Sequence, residues 1–297
     1  MKKQSVTILL LFLVSISLGC TVGEPRRQDI DVHTGTQGLV LRFLPQTPPN
    51  IAYGGESIDI QIEVSNKGAW TTNGILHLTG FDKSIIDTGS NSITINSIPG
   101  KEEYFREGGK DVIAISDISI SLPSGVDDYP TKMEAIACYP YKTMATIPIC
   151  IDGNPRVDTH DTCNPTDVSG GSQGAPVAVS NVQVESGYGK LRLILTIRNV
   201  GNGIIINGND CPFGYEYGVL GNINGFEAYL GTESGPIDLQ CSDANIKVAD
   251  GSAKVYCNAN VNKETAAYTT PLTVNFDYGY KNSISTSLEI RKGITDI

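Results

Sequence analysis

The chain has 297 residues, of which 40% are hydrophobic and 18% charged, with 32 glycines and 15 prolines. That much apolar residue supports packed cores and excludes wholesale disorder, and the length allows two domains of ordinary size. With 22 Lys+Arg against 32 Asp+Glu the net charge is −10, and no basic patch is present to neutralise phosphates, which excludes nucleic acid as a partner.

The N-terminus opens on Met1-Lys2-Lys3 and then Val6–Gly19, a basic start followed by a largely apolar run. The run is about fourteen residues, short of the ~20 of a membrane-spanning helix, so residues 1–19 are expected to be a signal peptide. It ends at Ser17-Leu18-Gly19-Cys20, which resembles the lipobox of prokaryotic lipoproteins. The resemblance implies lipidation of Cys20 and a chain held at the outer face of the membrane. Simple secretory cleavage and an uncleaved anchor are the competing readings. One acyl chain holds a protein only marginally, so the anchor implied is a two-chain lipid. Residues 20–37 are polar and contain Pro25, Arg26 and Arg27. They are expected to form a tether of up to ~60 Å at about 3.3 Å per residue. His33 sits in this tether without ligand neighbours, as a solvated side chain would.

A first domain is expected over 38–152. Its first strand is Leu39–Leu44, followed by a corner at Pro45–Pro49. In Gly55–Gly80, Ile58, Ile60, Ile62 and Val64 alternate with Asp59, Gln61 and Glu63, the period of a half-buried strand. That strand stops at the turn signal Asn66-Lys67-Gly68. The next, Asn73–Gly80, carries His77, expected on the solvent side. Further strands are expected at Ser92–Ile98, Val112–Leu122, Thr131–Tyr139 and Met144–Ile151. Gly100–Lys110 is a charged excursion, read as a solvated loop or, through Tyr104 and Phe105, as a contact loop.

Residues 153–174, rich in Gly, Pro, Asp and Ser, are expected to link this domain to a second one over 175–297. Its strands are expected at Val177–Glu185, Leu191–Asn199, Asn224–Gly231, Ile246–Ala249, Ser252–Tyr256, Leu272–Tyr278 and Ser283–Arg291. Asp250-Gly251 is a strong two-residue hairpin signal. The two halves echo each other. Leu191–Ile197 runs into Asn199-Val200-Gly201 as Ile58–Val64 runs into Asn66-Lys67-Gly68. Tyr139-Pro140-Tyr141-Lys142 returns as Tyr278-Gly279-Tyr280-Lys281. Each Tyr-x-Tyr-Lys is expected to form a corner between two strands. The turn that spans Asn66–Asn73 in the first copy is expanded in the second by an insertion, residues 202–223. Loops of that length are uncommon unless functional or tied down.

Repeated strands ending in Asn-x-Gly, as in Ile58–Ala69 and Leu191–Gly203, resemble CARDB-type and related immunoglobulin-like modules of bacterial and especially archaeal surface proteins. The resemblance covers roughly Gly38–Arg291. It implies an all-β chain of two tandem immunoglobulin-like β-sandwich domains with a structural, adhesive or spacer role.

Besides Cys20 there are six cysteines, an even number that reads in an exported protein as three disulfides with fifteen possible connectivities. Cys241–Cys257 is the best-supported pair, because the Asp250-Gly251 hairpin would bring their strands together. Cys150–Cys163 would tie the linker to the preceding strand. Cys138–Cys211 is left by subtraction and would staple the insertion to the other domain. A zinc site competes, without Cys-x-x-Cys or paired-His spacing. Asp152, Asn154, Asp158 and Asp161 offer oxygen ligands for calcium in the linker, but without the glycine and terminal Glu of an EF-hand. A plain polar linker is the alternative, and no other cofactor is expected. No Gly-x-Ser-x-Gly elbow or phosphate loop is present and the three histidines are scattered, so no enzyme is expected. A carbohydrate-acting hydrolase would need two carboxylates converging in a cleft. The contact residues expected in the insertion are Phe213, Tyr215 and Tyr217, held by Cys211, with self-packing of the loop as the competing reading. The partners expected are the membrane, through the lipid, and a surface protein or glycan. Self-association through strand edges into a filament or surface layer is the alternative.

Overall fold

The computed structural model is organised around two strands of 24 residues each, Asp128–Ile151 and Tyr268–Arg291. They pair antiparallel over their whole length, from Asp128 opposite Arg291 to Ile151 opposite Tyr268. The structure describes residues 32–90, 92–156, 162–207, 211, 221–232, 235–243 and 245–293. At the midpoint of the ladder Tyr139 faces Tyr280, Pro140 faces Gly279 and Tyr141 faces Tyr278. The repeated motif therefore lies against its own copy, and the two halves are related by a pseudo-two-fold axis through that point.

The corner expected at each Tyr-x-Tyr-Lys does not form. The two-residue alternation runs straight through it: Ala137, Tyr139, Tyr141, Thr143, Ala145 and Ile147 are all buried, while Pro140 and Lys142 between them are exposed. Because neither strand bends, each crosses from its own half into the other. Leu288 and Ile290, at the end of the second long strand, are buried beside residues 50–54, where Ile51–Tyr53 pairs with Glu289–Arg291. Reciprocally, the end of the first long strand packs on the second half, where Thr143 Oγ1 donates to Val177 O (2.6 Å). The halves have exchanged their last strands.

These two strands form the centre of a nine-stranded sheet. Its order runs Gly235–Asp238, Gly221–Thr232, Tyr268–Arg291, Asp128–Ile151, Thr72–Thr79, Ser92–Ile98, with Ile51–Tyr53, Ile204–Ile206 and Ile246–Val248 pairing at its sides. Two smaller sheets face it. One is made of Leu39–Phe43, Ser57–Asn66, Lys110–Ile120 and Ile86–Asp87. The other is made of Gln240–Cys241, Ser252–Asn260, Lys190–Asn199, Val177–Gly187 and Val168–Ser169. Both lie on the same face of the central sheet, since Tyr139 and Thr143, two steps of the same phase apart, touch one sheet each at Leu39 and Val177. One continuous core results.

The chain is thus all-β and layered as sandwiches, but from Val32 onward it is one compact unit. The two halves, expected at 38–152 and 175–297 with a linker between them, share the central sheet. A period of two identifies a strand and does not say which strand it will pair with. The linker is also engaged: Val168–Ser169 pairs with Asn181–Val182, and Thr162 donates through its backbone and Oγ1 to Ala267 O. The described end of the tether is docked too. Gly174 N–H donates to Gly35 O (3.0 Å), and the His33 ring, expected in solvent, lies 5.3 Å from that of Trp70. Asp250 and Gly251 both have positive φ (49° and 69°), as the hairpin signal requires. That hairpin closes with a single bridge, Ala249–Ser252, after which Ile246–Val248 joins the central sheet opposite Gly221–Ile223.

Candidate functional site

The duplicated residues fasten the centre of the molecule with the same hydrogen bonds twice. Asn66 Oδ1 accepts Gly68 N–H (3.1 Å) and its Nδ2 donates to Trp70 O (2.7 Å). Asn199 Oδ1 accepts Gly201 N–H (3.2 Å) and its Nδ2 donates to Gly203 O (2.7 Å). Tyr141 Oη accepts Trp70 N–H (3.2 Å) and Tyr280 Oη accepts Gly203 N–H (2.9 Å). Tyr139 Oη takes Leu39 N–H (3.0 Å) and Tyr278 Oη takes Val177 N–H (3.3 Å). Burial raises the pKa of all four phenols: Tyr141 and Tyr280 to about 12, Tyr139 and Tyr278 well above their ordinary value. They stay neutral at physiological pH and act as fasteners.

On the outer face of the central sheet, beside this network, lies an open cleft of about 320 Å³. Trp70 and Thr71–Asn73 form one wall, and Asn224 and Asp277 the other. Pro140 and Gly279 form a floor with little side chain, and Lys142 spans it. Lys142 Nζ sits 3.9 Å from the centroid of the Trp70 ring, a cation–π contact, and stands opposite Asp277 in the ladder. Trp70 Nε1 is buried and has no hydrogen-bond partner among the described residues.

The pseudo-symmetric counterpart of this cleft is a smaller hollow of about 200 Å³, lined by Ile136, Asn202, Gly203, Ile204 and Lys281 among others. There Lys281 stands opposite Cys138 as Lys142 stands opposite Asp277. Cys138 is bridged to Cys211, and Ile136, Cys138 and Ile206 form a small apolar cluster against Cys211. Ile206 and Cys211 of the insertion lie against this side of the sheet, whereas the short Asn66–Asn73 turn borders the larger cleft. The same cluster accounts for His77. Expected in solvent, it is 7% exposed and lies opposite Ile136 on the covered part of the outer face.

All three disulfides form, Cys138–Cys211, Cys150–Cys163 and Cys241–Cys257, and three disulfides fit an oxidising compartment. Cys241 and Cys257 are direct cross-strand partners between Gln240–Cys241 and Ser252–Asn260, a closer relation than the hairpin alone would give. Of the calcium candidates, Asp152 Oδ1 accepts Asn154 N–H (2.8 Å), a local turn; Asp158 and Asp161 lie outside the described residues. Among the described residues no three His, Cys, Asp or Glu side chains gather as a metal site. Tyr104 and Phe105 are exposed at a loop tip. Cys20, Phe213, Tyr215 and Tyr217 lie outside the described residues.

No protein-family model and no curated protein sequence matches the chain. The cleft is therefore read from its own residues. Sequence reasoning assigned no site role to Trp70, Lys142, Asn224 or Asp277. The last three meet Trp70 only because the two long strands cross between halves. A compact anion in the cleft meets Asp277 and a compact cation meets Lys142, so neither is favoured. A neutral ligand rich in hydroxyls can use the ammonium, the carboxylate, the Asn224 amide and the Thr71 hydroxyl together over a flat floor.

Proposed function

We propose that this is an exported, non-enzymatic protein of the cell surface, lipid-anchored at Cys20, which presents immunoglobulin-like β-sandwiches to a glycan or protein partner. The observation that carries the reading is the open cleft around Trp70 on the outer face, a largely apolar hollow edged by Lys142, Asn224 and Asp277. Its donors and acceptors surround a shallow floor, an arrangement suited to holding a sugar ring in place. The resemblance of the repeated Asn-x-Gly strands to surface-protein modules and the three disulfides support the same location.

Trp70 is the single tryptophan of the chain, so intrinsic emission reports the cleft directly. Titration of the mature protein with maltotriose, mannotriose and chitotriose at millimolar concentration is expected to shift that emission for at least one of them. Asp277→Ala is expected to abolish the shift. No shift with any of the three, and none in ligand-observed NMR, would refute the glycan reading. Intact mass of the protein from its native membrane tests the anchor: a diacylglyceryl-sized addition on Cys20 is expected.

Assembly through strand edges is the second reading, favoured by Ser92–Ile98, which ends the central sheet with no neighbour on its far side among the described residues. Light scattering over a concentration series separates an assembling subunit from a monomeric binder.

A further inference from the structure

Gly100–Lys110 ends in the two most exposed large apolar side chains described, Tyr104 at 78% and Phe105 at 67%. Its tip is a closed turn: Phe105 N–H donates to Glu102 O (3.0 Å) and Glu102 N–H to Phe105 O (3.1 Å). The stem is pinned. Lys101 N–H donates to Gly68 O (2.8 Å), Gly109 N–H to Pro99 O (2.9 Å), and Lys67 Nζ pairs with Glu107 Oε2 (2.7 Å). An aromatic pair held out on a fixed stem loses little conformational freedom when it docks, so its apolar surface is available for binding rather than for ordering a loop.

The stem also holds the chain close to where the tether begins. Lys101 Nζ donates to Thr34 O (2.9 Å), two residues inside Val32, the first described position. From Cys20 to Val32 the chain spans at most ~40 Å when extended. We infer that the Tyr104–Phe105 tip is a second, reversible contact with the lipid bilayer, seating the protein on the membrane to which its N-terminus is tethered. This rests on the anchored reading above. An anchored chain keeps the tip within the tether's reach of the surface, where the effective concentration of bilayer is high. Tyr and Phe are suited to that boundary, the ring in the acyl region and the phenol hydroxyl among headgroups. The loop carries three basic residues, Lys101, Arg106 and Lys110, and three acidic ones, Glu102, Glu103 and Glu107. It is therefore locally neutral although the whole chain is not, and meets no net repulsion from headgroups.

The test moves the only indole to the tip, in the double variant Trp70→Phe/Phe105→Trp of the mature protein. The N-terminus is held by a histidine tag to phosphatidylcholine vesicles that contain a nickel-chelating lipid and bromines high on the acyl chains. An interfacial side chain sits about 5–10 Å into the headgroup–acyl boundary, so emission is expected to fall by roughly half and shift to the blue. The parent protein, with Trp70 as its indole, is expected to be quenched much less on the same vesicles. Equal emission from position 105 on brominated and plain vesicles would overturn the inference, and so would quenching confined to Trp70. Because the tag supplies the tether, the result does not depend on native lipidation. Quenching together with an unlipidated Cys20 would support the contact and sink only the anchor. A lipidated Cys20 without quenching would sink the contact alone.

Discussion

Raising the pH should unfold this protein through its four central tyrosines. Tyr139, Tyr141, Tyr278 and Tyr280 are buried, each phenol fixed by a backbone N–H. Burial pushes Tyr141 and Tyr280 to about 12 and the other two well above the ordinary value near 10. An acid whose folded-state pKa is raised contributes stability below the unfolded pKa and loses it as pH climbs towards the folded one. Each such phenol therefore removes about 1.4 kcal/mol per pH unit above pH 10, and the four together remove about 5 kcal/mol per unit. Against a total stability of ~5–15 kcal/mol, cooperative unfolding is expected between about pH 11 and 12.5. Absorbance at 295 nm and circular dichroism should be followed together. Of the 13 tyrosines, the buried four should ionise only in step with loss of the β signal. Tyrosinate formation that reaches completion near pH 10 while the dichroism is unchanged would refute the argument.

Three further outcomes follow from the same contacts. Asn66→Ala should cost about 2–4 kcal/mol in urea unfolding, because it strands Gly68 N–H, Trp70 O and Ile98 O together. Asn199→Ala, with partners of the same kind in the other half, should cost a similar amount; a cost under ~0.5 kcal/mol for either would show that its bonds are replaced by water. Replacing Cys138 and Cys211, 73 residues apart, should destabilise by about 4.4 kcal/mol, against about 3.1 kcal/mol for Cys241 and Cys257, 16 apart, if loop-closure entropy dominates. Gly108 and Gly125 both have positive φ (69° and 87°), but a Cβ at Gly108 collides with Asn66 O whereas one at Gly125 meets nothing. Gly108→Ala should therefore lower the melting temperature clearly more than Gly125→Ala, and equal effects would place the whole cost in the backbone conformation.

Much of the fold was legible because strands announce themselves locally. The alternation in Ile58–Val64, the Asn-x-Gly stops and the Asp250-Gly251 turn each depend on neighbours a few residues away, and each formed as read. The Tyr-x-Tyr-Lys segments were misread for the opposite reason. Tyr, Pro, Gly and Lys in a row resemble turn chemistry, yet Tyr139 and Tyr141 are the same-face residues of a strand whose partner lies in the other half. The same gap hid the cleft. Trp70 follows the Asn66–Gly68 turn, but Lys142 and Asp277 become its neighbours only through the long ladder. His77 was misplaced because the cover over Ile136 and Cys138 comes from a segment some 70 residues further along the chain, joined at Cys211.

The exchange of last strands makes a sharp claim about the halves in isolation. Without the second half, residues 32–156 lose Leu288 and Ile290, both fully buried. Their removal from the core costs about 3–6 kcal/mol, comparable with the whole stability of a domain. The segment Met144–Ile151 could replace them only by folding back on its own half, through a turn within Tyr139–Thr143. That turn would pull a tyrosine hydroxyl away from Leu39 or Trp70, and the segment offers neither glycine nor asparagine to make it. Residues 32–156 and 162–293, produced separately, should each lack a cooperative thermal transition, and on mixing should form a one-to-one complex that has one. Two of the three disulfides, Cys138–Cys211 and Cys150–Cys163, cross between these pieces. Oxidative mixing should therefore yield a covalent pair on a non-reducing gel, in which Cys241–Cys257 takes no part. A cooperatively folded monomer from residues 32–156 alone would mean that the corner can form after all, and that the exchange is one of two accessible arrangements rather than a requirement of the sequence.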